Sequence, residues 1–150
     1  DQPRSRGLGD VYKRQVIESL NGRVLFHGIR VKPGMPTMLS VVEDIPVLSL
    51  SGNPFAVAAL FELLVGGYLA DRAEEVYIQK KETKVLRQTF VKTGKPKRIV
   101  KGKCDEEGVF LPQIQRNGQL KNGIGSNCLV VFPEGERTYP EEEKVQVIRI

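Results

Sequence analysis

The spacing of hydrophobic residues changes part-way along the chain. Up to about residue 72, short apolar runs broken by Gly, Pro and Asn turns alternate with one longer apolar segment. Beyond Val76, apolar residues recur at every second position, which is the period of a half-buried strand. The pattern therefore predicts an α/β region followed by an all-β region.

The first region is expected to hold two helical segments, a further helical turn and connector at 68–75, and several short strands. In chain order, the pattern predicts a helix end at 16–20, strands at 23–31, 38–42 and 46–50, and a helix at 55–65. A turn is predicted at Glu43-Asp44. The helix at 55–65 carries one charge, Glu62, so most of its circumference is expected to be buried. Gly66-Gly67 is expected to stop or loosen it.

The second region is predicted to be a small β domain, a barrel or a sandwich, with few or no helices. Its strands are predicted at 76–78, 84–92, 98–104, 109–114, 128–132 and 144–150, separated by Gly- and Asn-containing turns. The period changes near residue 72, so the expected division is 16–72 and 73–150.

Residues 1–15 differ in character from the rest of the chain. They mix Arg, Asp, Gly and Lys without apolar periodicity, and they lack the apolar stretch of a secretory signal. We interpret them as a foreign or disordered leader, with divergent native sequence as the alternative. No run in the chain approaches the roughly 20 apolar residues that span a bilayer.

Basic residues are concentrated between residues 80 and 103, where ten Lys and Arg accompany a single acidic residue, Glu82. Such a stretch could bind a polyanion. The charges alternate with apolar residues, however, and no aromatic platform accompanies them. The pattern favours the solvated face of a half-buried antiparallel sheet, with a nucleic-acid-binding β domain as the less favoured alternative.

The cysteines exclude some classes of site. Cys104 and Cys128 are the only two, and the chain has one histidine, which is too sparse for a zinc site or a disulfide framework. We expect two reduced, strand-borne cysteines in a cytoplasmic protein.

One loop, Ser51-Gly52-Asn53-Pro54, leads from a strand into the apolar helix. Asn53 can cap the helix through its side chain, and Pro54 suits the first helical position. Gly52 lets a ligand approach the backbone. Free N–H groups and the positive dipole end of a helix favour phosphates and oxyanions. Taken alone, the segment is also explained by a purely structural turn.

A second loop, Lys32-Pro33-Gly34-Met35-Pro36, precedes it in the chain. Its prolines stiffen the backbone, and Lys32 can hold a phosphate as a point charge. A stiff turn with a solvated lysine is the structural alternative.

The two loops together resemble motifs of one family. Phe26-His27-Gly28-Ile29-Arg30-Val31-Lys32-Pro33-Gly34-Met35-Pro36, followed by Leu50-Ser51-Gly52-Asn53-Pro54 and an apolar helix, is similar to the KPGKP and PGNP motifs of the molybdopterin molybdotransferases. That family includes bacterial MoeA and the matching domain of gephyrin. The resemblance resumes at Ser126–Gly135, and its middle, around 76–120, matches poorly.

The resemblance implies a fold and an activity. The fold would be a truncated three-layer molybdopterin-binding α/β domain over 16–72, followed by a small C-terminal β-barrel-like domain over 73–150. The full-length enzyme would insert molybdate into adenylylated molybdopterin during molybdenum cofactor biosynthesis, with Mg²⁺, as a cytoplasmic homodimer. Tungstate stays open as the native oxyanion, because its charge and size nearly match those of molybdate.

The resemblance also implies binding residues. Lys32, Pro33 and Gly34 would contact or shape the anionic groups of the ligand, and Gly52, Asn53 and Pro54 would form the cradle at the helix end. Two positions depart from the family. Met35 stands in place of a second lysine, and Ser51 in place of a proline, where its hydroxyl could donate to an oxyanion.

The family's acidic, metal-holding motif has no match in residues 1–31, so no catalytic residue and no metal ligand is assigned. Without such carboxylates a magnesium–phosphate reaction is hard to run. We therefore expect this polypeptide alone to be inactive. A non-catalytic molybdopterin-binding module is the main alternative.

Overall fold

A computed structural model of the chain describes residues 6–73, 80–112 and 125–150. The elements, in chain order, are helix α1 (Arg6–Ser19), strands β1 (Arg23–His27), β2 (Val31–Lys32), β3 (Met38–Val42) and β4 (Ile45–Ser49), helix α2 (Pro54–Leu60), a π-helical turn (Phe61–Val65), helix α3 (Gly66–Arg72), and strands β5 (Lys81–Val85), β6 (Phe90–Lys92), β7 (Lys97–Cys104), β8 (Val109–Phe110), β9 (Cys128–Phe132), β10 (Arg137–Tyr139) and β11 (Lys144–Arg149). The protein is mixed α/β with strands in the majority. The predicted strand at 76–78 and the end of the one at 109–114 lie outside the described residues.

A three-stranded antiparallel sheet, in the order β1-β3-β4, forms the first part of the chain. Glu43 and Asp44 turn β3 into β4 with φ of 49° and 64°, as the predicted turn requires. The single strand predicted over 23–31 is wrong. Gly28, with φ of 95°, ends β1, and the chain then leaves this sheet, because β2 pairs with β7 instead.

The larger sheet runs in the order β2-β7-β9-β11-β5, with β8 paired to β7. Strands predicted at 98–104, 128–132 and 144–150 are confirmed to within one residue at either end. The continuous strand predicted at 84–92 is wrong. It divides into β5, which pairs with β11, and β6, which pairs with β10. The sequence pattern did not predict β10, which is three residues long.

The barrel-like closure expected for residues 73–150 is not found in the described part of the chain. β2 and β5 are the two ends of the strand order. A single backbone bridge, Leu86 to Val109, links the end of β5 to β8, and no ladder of several pairs continues it there. The described strands therefore form an open sheet, and the division into domains at residues 72 and 73 stays a prediction.

The two faces of the larger sheet are both covered. One face holds a cluster of Val100, Val130, Phe132 and Val147 with the β6–β10 pair, where Phe90 stacks on Phe132 at 4.5 Å. The other face packs Ile99, Leu129 and Ile148 against Ala59 and Leu60 of α2. Alternating residues of one strand thus serve both cores, as strand geometry requires.

The apolar helix differs from its prediction in two ways. It continues through the π-helical turn into α3, which begins at Gly66-Gly67, where the helix was expected to stop or loosen. It also buries one side only. Ala56, Ala59 and Leu60 are buried, whereas Phe61 is 48% exposed and Leu64 is 46% exposed. The near absence of charged residues in this helix therefore does not mean that most of its circumference is buried.

Helix α1 spans residues that were expected to form a foreign or disordered leader. The structure describes residues 6–15 as helical, continuous with the helix end predicted at 16–20. That residues 1–15 are a foreign or disordered leader stays a prediction. No helix among the described residues is both long and apolar enough to cross a membrane.

Candidate functional site

The loop that contains Lys32-Pro33-Gly34 is closed by its own backbone. Gly28 N donates to Thr37 O at 2.8 Å, and Ile29 N donates to Met35 O at 2.9 Å. The buried Thr37 donates from its hydroxyl to Gly34 O at 2.7 Å. These bonds satisfy backbone groups that would otherwise need water. The loop is therefore a defined structural unit and not an open linker.

Gly34 ties this loop to helix α2. It is buried, has φ of 114°, and a Cβ placed on it would lie 2.4 Å from Leu60 Cδ1. A side chain at this position would meet both an unfavourable backbone conformation and a buried neighbour. Lys32 is exposed beside it, and Pro33 is half-buried.

The loop Ser51–Pro54 caps the same helix. Asn53 Oδ1 accepts from Phe55 N at 3.0 Å and from Ala56 N at 3.3 Å. Pro54 begins the helix, so both the predicted cap and the predicted proline position are confirmed. Half-buried Ser51 accepts from Asn53 N through its hydroxyl oxygen at 3.4 Å.

Because of this cap, the N–H groups of the first helical turn are not the free anion-binding groups that the sequence analysis expected. Phe55 N and Ala56 N already donate to the Asn53 side chain, and Val57 N donates to Asn53 O at 3.0 Å. The first-turn N–H groups are therefore occupied. The helix dipole still favours an anion, and exposed Gly52 leaves open space beside the helix start, where an added Cβ would meet nothing within 4 Å.

The residues that flank the two loops pack against the same core cluster. Ile29 and Val31, from the first loop's flank, join Leu50 and Phe55, from the second loop's flank, in the core cluster between α2 and the larger sheet. The structure thus brings together the two segments that the sequence singled out. The binding roles of Lys32, Pro33, Gly34, Ser51, Gly52, Asn53 and Pro54 stay predictions.

The structure adds one cation, Lys101, that the sequence pattern assigned to a solvated face. Lys101 Nζ lies 4.7 Å from the centre of the Phe55 ring, a distance at which a cation is attracted by the ring. Only the long-range strand pairing of β7 places Lys101 beside Phe55, and no local sequence signal could have shown it.

The cysteines lie outside both loops. Cys104 and Cys128 are free and buried on β7 and β9, as predicted for reduced, strand-borne cysteines. Burial, followed by the nearby charge of Cys104, raises the pKa of Cys128 to about 12. Such a thiol is a poor nucleophile near neutral pH.

Comparison with known proteins connects this arrangement to a family. A protein of Methanocaldococcus jannaschii named for molybdopterin biosynthesis is 31% identical over 126 residues, which is 84% of this chain and 30% of that protein. The molybdopterin molybdenumtransferase of Bacillus subtilis is 27% identical over 140 residues, covering 90% of this chain and 33% of that enzyme. The crystal structure of a molybdopterin biosynthesis MoeA protein from Pyrococcus horikoshii matches 91% of this chain with a TM-score of 0.78 and 27% identity. This chain belongs to the MoeA/molybdopterin molybdenumtransferase family.

The chain matches only part of the length of its relatives. The chain spans 30% to 35% of the curated relatives it matches, and 34% of the Pyrococcus horikoshii MoeA chain. No protein-family model matches it. Among the described residues, no group of three or more His, Cys, Asp or Glu side chains is arranged to hold a metal ion.

Proposed function

We propose that this chain supplies the pterin- and anion-binding side of a molybdopterin molybdenumtransferase. The observation that carries the proposal is the convergence of two loops on α2. Gly34 seats the first loop against Leu60, and Gly52 leaves open space at the helix start. The phosphate of molybdopterin, or of its adenylylated form, would lie over Gly52 between these loops.

Cations on the chain would hold that ligand. Lys32 is exposed at the edge of the larger sheet and offers a point charge to a phosphate. Lys101 is half-buried beside Phe55, where a charge is less screened than at an open surface. The Gly52 backbone would orient the ligand at the positive end of the helix dipole.

The same proposal places the reaction in the longer family enzyme. There, molybdate would be inserted into adenylylated molybdopterin with Mg²⁺, in a cytoplasmic homodimer. Among the described residues, no three or more His, Cys, Asp or Glu side chains are grouped to hold a metal ion. No metal-dependent step is therefore assigned to them, and we propose that the 150-residue chain alone does not insert molybdate.

Calorimetry with molybdopterin tests the proposed site. Asn53→Asp keeps a good helix cap but adds a negative charge beside the ligand's phosphate. Two unit charges about 4 Å apart near a surface repel by about 4 kcal/mol, so binding should weaken at least about tenfold. Asn21→Asp, in a turn outside both loops, adds the same charge as a control and should leave the affinity unchanged.

Two results would oppose the proposal. Equal affinity in the Asn53→Asp variant and the wild type would place the ligand elsewhere. Measurable molybdate insertion by the purified chain would show that the site is complete without further carboxylates. Binding without turnover would also match the alternative of a non-catalytic binding module. To separate the two, Asn53→Asp is introduced at the matching position of a full-length relative and molybdate insertion is measured. Loss of insertion supports the enzyme component, and unchanged insertion supports the separate module.

A further inference from the structure

One member of the basic segment at residues 80–103 is not solvated. Lys92 is 2% exposed, although lysine is rarely buried to this degree. Its ammonium donates to the backbone carbonyls of Gly94, at 2.8 Å, and of Gly135. Taking an ammonium out of water is costly unless its donors are satisfied. The contacts that Lys92 makes therefore indicate a specific structural role.

That role is to join two turns. One turn, residues 93–96, leads from β6 to β7, and the other, residues 133–136, leads from β9 to β10. Gly135 N donates to Lys95 O at 2.8 Å, and Gly94 N donates to a carboxylate oxygen of Glu136 at 2.9 Å. We call residues 93–96 and 133–136 the double turn. Lys92 lies beneath it and binds a carbonyl from each half.

The double turn borders β2. Lys97 N, directly after the first turn, donates to Arg30 O at 2.9 Å, and Glu134 of the second turn lies 3.3 Å from the Arg30 guanidinium. That ion pair is exposed, at 70% and 42% for the two side chains, so it contributes little. The backbone bond from Lys97 is therefore the main link between the double turn and β2.

β2 is only two residues long, Val31 and Lys32, and it pairs with the residues that come directly after the first turn, Lys97 and Arg98. So short a strand has few hydrogen bonds of its own. Its position depends on where β7 begins, and the first half of the double turn lies directly before that point. Lys32 is also the first residue of the Lys32-Pro33-Gly34 segment.

We infer that Lys92 is a positioning residue for the Lys32-Pro33-Gly34 loop. It acts through the double turn, Lys97 and Arg30, and it does not touch the ligand. The statement that it positions a binding loop rests on the proposed function. Its control over the loop's structure does not, so the two can fail separately.

Amide hydrogen exchange on the 150-residue chain tests the structural half without any ligand. Lys92→Met keeps a long, unbranched side chain and removes its three N–H donors. We expect the amides of Gly28, Ile29, Thr37 and Lys97 to exchange about tenfold faster, the change expected when a charge-assisted hydrogen bond is lost. Amides in the β9–β11 pair should keep their wild-type rates. Lys84→Met, on β5, is the matched control and should leave the four amides unchanged.

A purely local role gives a different result. Faster exchange confined to residues 93–96 and 133–136, with Gly28, Ile29, Thr37 and Lys97 at wild-type rates, would overturn the inference. If Lys92→Met does not fold, Gly135→Ala tests the other end of the contact. The residue has φ of 100° and open space around an added Cβ, so it shifts the accepting carbonyl through backbone strain alone. Wild-type exchange at Lys97 and in the loop in that variant would likewise reject the role.

Calorimetry with molybdopterin then tests the functional half. Lys92→Met should weaken binding at least about tenfold, in parallel with the faster loop exchange, since a mobile loop must be ordered on binding. If amide exchange in the loop becomes faster but the affinity for molybdopterin is unchanged, Lys92 is a structural residue only, and its role in positioning the loop for binding is rejected. If the wild-type chain binds no molybdopterin, the proposed function fails while the exchange result still decides the structural link.

Discussion

Gly34 lies so close to Leu60 that a Cβ on it would approach Leu60 Cδ1 to 2.4 Å. The glycine belongs to the loop that begins at Lys32, and the leucine is the last residue of α2. This contact between residues distant in the chain seats the loop on the helix whose start is capped by Asn53. The candidate site therefore depends on a packing contact as much as on its polar groups.

Gly34→Ala should destabilise the fold. The added methyl group would meet the buried Leu60 side chain, and a φ of 114° is unfavourable for alanine. Overpacking and backbone strain each cost roughly 1–3 kcal/mol. Urea unfolding should therefore show a lower midpoint with an unchanged m-value. An unfolding free energy equal to that of the wild type would show that the loop is free to move off α2.

Gly52→Ala is the matched substitution in the other loop, and it should act on binding alone. Its added methyl group meets no atom within 4 Å, so the urea midpoint should stay the same or rise slightly. Molybdopterin binding should weaken at least about tenfold, because the methyl group occupies the space through which a phosphate would approach the backbone. Full affinity in this variant would contradict the placement of the ligand over Gly52.

Lys101→Met should weaken molybdopterin binding and its salt dependence. Removing a charge that contacts a phosphate lowers the slope of log affinity against log salt and costs about tenfold in affinity at low salt. Calorimetry at two salt concentrations measures both quantities. Lys103→Met is the control, since Lys103 is two residues further along the same strand and exposed. Equal losses in both variants would indicate a diffuse effect of net charge instead of a site.

The stability of the fold should fall as pH rises above about 9. Burial holds the pKa of Cys128 at about 12, against 9.0 for a thiol in water. Between these values the unfolded thiol releases its proton while the folded one keeps it, so the unfolded state is favoured by up to about 1.4 kcal/mol per pH unit. Urea unfolding at about pH 8 and about pH 10.5 should show this loss, and Cys128→Ala should reduce it. An identical pH dependence in the two proteins would show that the thiol does not ionise differently on unfolding.

The sequence by itself determined the local features. Short apolar or alternating runs bounded by Gly and Asn turns located β7, β9 and β11, because buried strand positions require apolar side chains. Asn53-Pro54 predicted a helix start, because a cap depends only on backbone groups that are adjacent in the chain. The order and spacing of two short loops were enough to indicate the family, although neither loop was convincing alone.

Only the tertiary structure decided which segments meet. The residues at 84–92 fit one strand by pattern, yet they divide between β11 and β10, since each half finds a different partner. The apolar helix has one packed side and one exposed side, and composition cannot distinguish these. Lys92, Arg98 and Lys101 have the same local pattern as solvated lysines and arginines. Long-range contacts bury Lys92, place Lys101 beside Phe55 and pair Arg98 with Lys32, because contact partners are set by the fold and not by neighbours in the chain.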